Sequence, residues 1–388
     1  MWSAATLSET LRHDAAHYEF EAAPGKLNWS VMKDKRDKYI IRLNNIYKSG
    51  LEKANVTILE GWASMVDTHT VAVNMNDGSS RQVTADHILI ATGGKPMIPG
   101  DEGVAEHCIT SDGFFALTEQ PETAVVVGAG YIAVELAGVF NALGTKTHLV
   151  VRKHKALREF DEDISDFLDA EMQRQGITIH RNTSGVAKIE IENGKKKVTC
   201  VNGEVLDGAD VVLMAPGRIP NVDGLNLDKA GVKQCERTSV ILADDFQNTN
   251  VPNIYALGDV AGKVELTPMA IAAGRRLADR IFGGLSQAKA SYENVPTVVF
   301  SHPTIGTCGM TEKQAVAKYG KDNLNIYTST FVNLYYSVFN MEPSDKPKTF
   351  AKIICAGVEE KVVGLHMIGM GADEIMQGFG KTENAVGA

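Results

Sequence analysis

Residues 123–138 read TAVVVGAGYIAVELAG. The run Thr123–Val127 follows Pro121 and does not alternate with polar residues, which predicts a parallel strand buried on both faces. Gly128 and Gly130 break the run, Tyr131–Leu143 carries helical spacing, and Gly144 closes it. Lys146–Val151 is then a second strand, so the segment is a βαβ unit. Gly128-x-Gly130-x-x-Ala133 would be a weak pattern alone; its place between a strand and a helix makes it a dinucleotide fingerprint. Gly128 permits the tight turn and Gly130 lets a pyrophosphate reach the backbone. Ala133 allows close helix–strand packing, and the helix N-terminus favours an anion.

Just beyond the second strand stand Arg152, Lys153 and His154, then Arg158. An NAD site would place an acid there for the ribose 2′-hydroxyl. A planar guanidinium suits a 2′-phosphate instead, so the expected nucleotide is NADPH. Tyr131 follows the second glycine, where a ring can pack over a nicotinamide, and Glu135 near the start of the same helix suits the helix dipole; the spacing alone decides neither role.

Outward from this unit, 27–56 has the spacing of a long amphipathic helix. Residues 56–73 read as short strands, and NMNDGSS at 74–80 as a hairpin turn. HILIAT at 87–92 is a short buried strand entering Gly93–Gly94. Residues 163–175 form a helix, 186–201 a strand pair with the lysines at 195–197 on a solvated turn, and 210–215 another strand. A strand at 253–257 ends in Gly258–Asp259, and 267–282 is a helix with Pro268 in its first turn. From 294 onward, four strands and two helices suggest an α+β region of mostly antiparallel pairing.

The chain has 388 residues, 44% hydrophobic and 22% charged, with a net charge of −9. The acidic balance argues against nucleic acid or an anionic membrane as partner. Mean hydropathy is −0.11 and no stretch is apolar enough to span a bilayer. Cysteines stand at 108, 200, 235, 308 and 355, with no CxxC, no CxxxxC and no zinc-type spacing. Such scattered thiols suit a reducing compartment, and no metal site is expected. Residues 1–25 read as neither a secretory signal nor a transit peptide, and GKTENAVGA at 380–388 as an unanchored tail.

These pieces, in this order, resemble the pyridine nucleotide-disulfide oxidoreductases. The resemblance is carried by KDKRDKYIIRLNNIY at 33–47, ADHILIATGGKP at 85–96, ITSDGFF at 109–115 and VVVGAGYIAVELAGV at 125–139. It continues in FQNTNVPNIYALGDVAGKVELTPMAIAAGRRLADRIF at 246–282, ENVPTVVFSHPTIGTCGMTE at 293–312 and KVVGLHMIGMGADEIMQGF at 361–379. It is strongest with the fungal-type branch that reduces glutathione disulfide with NADPH. The resemblance implies an α/β fold of Rossmann-like FAD- and NAD(P)-binding domains with a C-terminal α+β dimerisation domain. The expected segments are a FAD-domain remnant at 1–93, an NADPH domain at 94–218, a central segment completing the FAD domain at 219–292, and an interface domain at 293–388.

Family roles carry over to matching positions. Gly128, Ala129, Gly130, Ile132, Ala133, Glu135, Arg152, Lys153, Arg158, Gly217 and Val298 would contact NADPH, with Tyr131 over the nicotinamide. Ala63, Gly258, Asp259 and Thr267 would hold FAD. Tyr39, Ile46, Tyr47 and Arg275 would meet glutathione disulfide, in a homodimer of the cytoplasm or the mitochondrion. The family's first FAD-binding βαβ unit, its CxxxxC and its C-terminal His–Glu pair have no counterpart in these residues. No catalytic residue is therefore assigned, FAD binding is in doubt, and thiol–disulfide turnover by this chain is expected to be absent. The alternative is a non-catalytic NADPH-binding pseudoenzyme or dimerisation fragment. His302-Pro303-Thr304 imitates the family's catalytic motif but lacks its acid, and reads as a packing histidine.

Overall fold

A computed structural model describes residues 1–23 and 25–385, with side chains through Phe379. The chain divides into two compact units. One comprises 1–34, 98–217 and 293–388; the other comprises 35–97 and 218–292.

The first unit is built on a four-stranded parallel sheet in the order Val211–Met214, Thr123–Val127, Lys146–Val150, Thr178–His180. The central strand is buried at Ala124–Val127, as its unbroken apolar run requires. The fingerprint helix, Tyr131–Ala142, and the helix Glu162–Arg174 follow the second and third of these strands in the βαβ manner. Val126, Ala137, Phe140, Leu149, Leu168 and Leu213 form one fully buried cluster. Trp29 joins it, 4% exposed, with its ring near Phe114 and Phe140. The N-terminal helix Trp2–Glu9, not expected from the sequence, packs on the fingerprint helix through the buried Ala5.

A three-stranded antiparallel sheet, Val186–Glu192, Lys195–Cys200 and Val205–Ala209, adds a second cluster. Here one expectation is corrected. Lys195–Lys197 lie on a strand, not a turn, because Asn193–Gly194 take the positive φ angles of the hairpin (52° and 78°). The lysine heads stay solvated or paired: Lys195 meets Asp210, and Lys197 meets Glu192 at 2.8 Å.

The remaining sheet of this unit has five antiparallel strands, in the order Thr297–Val299, Ile305–Gly309, Lys361–Ile368, Thr349–Ala356, Leu324–Phe331. Ile305–Gly309 escaped the sequence reading. The helix Glu312–Tyr319 starts at a capping box formed by Thr311 and Gln314. The last helix runs Ala372–Ala385, so the backbone of the expected tail is helical to Ala385; residues 386–388 lie outside the described residues.

The second unit holds a meander, Gly61–Met65, Thr70–Met75 and Ser80–Thr84, and two short ladders. Ile88–Ile90 pairs in parallel with Ile254–Ala256, and Gly94–Pro96 pairs antiparallel with Arg218–Pro220. Its helices are Thr267–Ile281 and the greater part of Trp29–Lys53. The long helix departs from expectation. Trp29 is its one buried residue, and Tyr39, Ile40, Ile41, Ile46, Tyr47 and Leu51 are exposed.

Candidate nucleotide-binding sites

Gly128 adopts φ +151°, and a Cβ there would lie 2.2 Å from the Ala215 carbonyl oxygen and 3.0 Å from Ala133 Cβ. Only glycine allows the strand to turn beneath the helix at this point. Gly130 has ordinary angles (φ −85°), and its absent Cβ would meet nothing within 4 Å. Open space over an N-terminal glycine is what a pyrophosphate needs. Gly130 is the N-cap, no side chain caps this helix, and no acid stands in its first turn. Tyr131 is 40% exposed beside it, Ala133 is fully buried, and Ile132 is half-buried.

Glu135, in the second turn of this helix, meets another strand. Its Oε1 accepts the Phe300 backbone N–H at 2.9 Å, which ties the fingerprint helix to the end of the strand carrying Val298. Burial raises this carboxyl and the Phe300 bond opposes the rise. Val298 itself is half-buried and paired with Gly306.

Arg152, Lys153 and Arg158 are all exposed past the second strand, and Gly217 is exposed past the strand Val211–Met214. The structure thus gathers the fingerprint, the basic loop, Gly217 and Val298 in one unit. Sequence reasoning missed Leu157 in the basic loop. It has φ +47°, and its N–H donates to Ala129 O at 2.8 Å. A leucine gives no signal for a left-handed position.

The second unit repeats the device in another form. Gly258, φ +74°, opens the turn Gly258–Ala261 and places Asp259 half-buried before the helix Thr267–Ile281. Gly94 lies alongside. A Cβ there would be 3.2 Å from Ile219 O and 3.5 Å from both Asp259 Cβ and Arg218 Nε. Arg218 Nη2 donates to Gly94 O at 2.6 Å. Burial and then the Asp259 charge raise the Glu265 carboxyl, against the pull of Arg218. Thr267 is the exposed first residue of the helix, whose N-terminus also has no side-chain cap. Gly94, Arg218 and Glu265 were not singled out from sequence.

Ala63 is exposed on the meander opposite Val73. Arg275 is exposed on the same helix as Thr267, a little over two turns further on. Tyr39, Ile46 and Tyr47 project from the long helix at 54%, 53% and 70% exposure, with the Arg42 guanidinium 5.2 Å from the Tyr39 ring centre.

His302 is 5% exposed, and neither ring nitrogen has a hydrogen-bond partner among the described residues. Burial pushes it down to about 4. Its neighbour Glu9, 3.8 Å away, is pushed up to about 7 by burial and then by Asp14. Between those values both are neutral, so this is a packed pair and not an ion pair.

In the first unit a glycine turn leads straight into a helix N-terminus without a side-chain cap, the arrangement that receives the pyrophosphate of a dinucleotide, as in nicotinamide- and flavin-dependent oxidoreductases. The model of the pyridine nucleotide-disulphide oxidoreductase family matches residues 2–274, and its dimerisation-domain model matches 295–382. The chain belongs to this family. It is similar to the glutathione reductase of Schizosaccharomyces pombe (strain 972 / ATCC 24843), with 47% identity over 382 residues, 98% of this chain and 82% of the relative.

Proposed function

We propose that the chain serves NADPH-dependent reduction of glutathione disulfide to two glutathione molecules, as a FAD-containing homodimer. The observation that carries this reading is the 47% identity spread over 98% of the chain. The geometry supports it. Gly128 and Gly130 leave the pyrophosphate room at the fingerprint helix, Ala129, Ile132 and Ala133 shape that turn, and Tyr131 covers the nicotinamide. Arg152, Lys153 and Arg158 neutralise the 2′-phosphate, while Gly217 and Val298 flank the nucleotide. Glu135 would meet the nucleotide from the same helix while it holds the Phe300 backbone N–H. Gly258, Asp259, Thr267 and Ala63 would hold FAD, which when bound relays two electrons between the nicotinamide and a disulfide. Tyr39, Ile46, Tyr47 and Arg275 would receive the peptide and its carboxylates. The segments 1–93 and 219–292 would make the flavin side, 94–218 the NADPH domain and 293–388 the dimer interface.

Among the described residues no helix is long and apolar enough to cross a membrane. Among the described residues no disulfide joins any of the five cysteines, which supports a reducing compartment, cytoplasm or mitochondrion. The same five scattered thiols favour a second reading, a non-catalytic NADPH binder, because disulfide reduction requires a thiolate placed beside the electron relay.

Three measurements on the 388-residue chain separate these readings: calorimetric titration with NADPH and NADH, the visible flavin spectrum, and NADPH oxidation with glutathione disulfide. NADPH binding with flavin and turnover establishes the reductase. NADPH binding without turnover establishes the second reading. Preference for NADH overturns both. In Arg152→Ala/Arg158→Ala, NADPH affinity should fall about tenfold or more, with NADH unchanged.

A further inference from the structure

Lys352 stands in the middle of the strand Thr349–Ala356, and its side chain is 1% exposed. Its ammonium reaches three carboxylates: Asp161 Oδ1 at 2.9 Å, Asp163 Oδ2 at 2.7 Å and Glu312 Oε2 at 2.7 Å. Asp161 is equally buried. Its Oδ2 accepts the Glu312 N–H at 2.9 Å, and its Oδ1 accepts the Asp163 N–H at 3.2 Å, capping the helix Glu162–Arg174. A buried ion cluster of this kind adds little net stability over apolar packing; its best-attested use is to specify one arrangement.

What it specifies can be followed bond by bond. In the first turn of the capped helix, Ser165 Oγ donates to Leu157 O at 2.8 Å. Phe160 N donates to the same carbonyl at 2.9 Å. Leu157 N–H in turn donates to Ala129 O in the fingerprint turn. Leu157 keeps φ +47° because these bonds surround it. Lys155, 8% exposed, is anchored to Asp166 at 2.6 Å and Glu162 at 3.2 Å. Upstream, Asn182 N and Ser184 N donate to the carbonyls of Lys153 and Arg152. The loop bearing Arg152, Lys153 and Arg158 therefore has a fastened backbone and exposed cationic side chains.

We propose that Lys352 is a positioning residue for nucleotide selectivity: through Asp161, Ser165 and Leu157 it sets where Arg152 and Arg158 stand relative to the fingerprint turn. This rests on the reading that those arginines meet the 2′-phosphate. Lys352 touches no nucleotide itself. Its effect falls chiefly on the phosphate that separates NADPH from NADH, since the loop bears the arginines and meets the fingerprint turn at the Ala129 carbonyl, while Gly128 fixes that turn by its own backbone.

The test is Lys352→Met, a side chain of similar length without the charge, in the whole chain. Titrations with NADPH, NADH and 2′,5′-ADP give three dissociation constants. Expected is a loss of about tenfold for NADPH and 2′,5′-ADP, with NADH unchanged. An equal loss for all three, or none, overturns the proposal. Should Lys352→Met fail to fold, Ser165→Ala cuts the chain of bonds at Leu157 and leaves the ion cluster intact; it must lower the same NADPH-to-NADH selectivity. Arg152→Ala/Arg158→Ala separates the two ideas. If that variant keeps NADPH selectivity, the 2′-phosphate reading fails and this proposal with it. If it loses selectivity while Lys352→Met and Ser165→Ala keep it, only the positioning role fails.

Discussion

Gly128 and Gly130 stand two positions apart and answer different demands. At Gly128 a methyl group would strike the Ala215 carbonyl in a strained backbone region. Gly128→Ala should therefore cost about 2–4 kcal/mol of stability, read by urea denaturation. At Gly130 the space is empty of protein. Gly130→Ala should keep its melting temperature and lose NADPH affinity; an unaltered dissociation constant would sink the pyrophosphate assignment. Glu9 makes a prediction of a different kind. Its carboxyl is raised from 4.5 to about 7 by burial, so the folded chain holds a proton that the unfolded chain releases. The stability this contributes is complete below 4.5 and is lost as pH rises through about 7. Glu9→Gln, neutral at every pH, should match the parent at acid pH and melt higher at about pH 8. Melting curves that shift equally at both values would refute the burial argument. At this scale the glycines were legible in the sequence because their chemistry is local. The partner of Glu135 was not, because Phe300 is brought to it only by folding.

Elements were legible where burial leaves a period. The strand Thr123–Val127 and its helix declare themselves through apolar spacing, and the hairpin at 74–80 through its Asp-Gly turn. The helix Trp2–Glu9 was not, because Ala5 is its one buried residue and leaves no stripe to read. Ile305–Gly309 hid because two of its five residues are glycines. Lys352 likewise reads as a solvated lysine until three acids are folded around it. Trp29 opens the long helix and locks its start into the core of the first unit. Trp29→Ala should cost about 3–5 kcal/mol. Its buried indole Nε1 has no hydrogen-bond partner among the described residues, so Trp29→Phe should cost much less than the alanine change, about 1 kcal/mol. Denaturation midpoints check both, and equal losses would mean that the indole nitrogen matters after all.

The whole molecule passes twice into its second unit, at 35–97 and 218–292. That order of visits follows from no local pattern in the sequence, whereas the fingerprint is written in sixteen consecutive residues. The family's dimerisation domain covers 295–382. Sedimentation should accordingly report a particle of twice 41.9 kDa, and a monomer at micromolar concentration would count against the homodimer. The three tryptophans give the molecule a readout of its own. Trp62, 76% exposed on the meander, emits as a water-facing indole, while Trp29 shares a buried core with Ala133 and Phe140 of the fingerprint helix. Reduced nicotinamide absorbs at the wavelengths where buried indoles emit. Binding of NADPH should then drain light from the blue-shifted emission by energy transfer. The chain carries an optical titration of its nucleotide site without any added label.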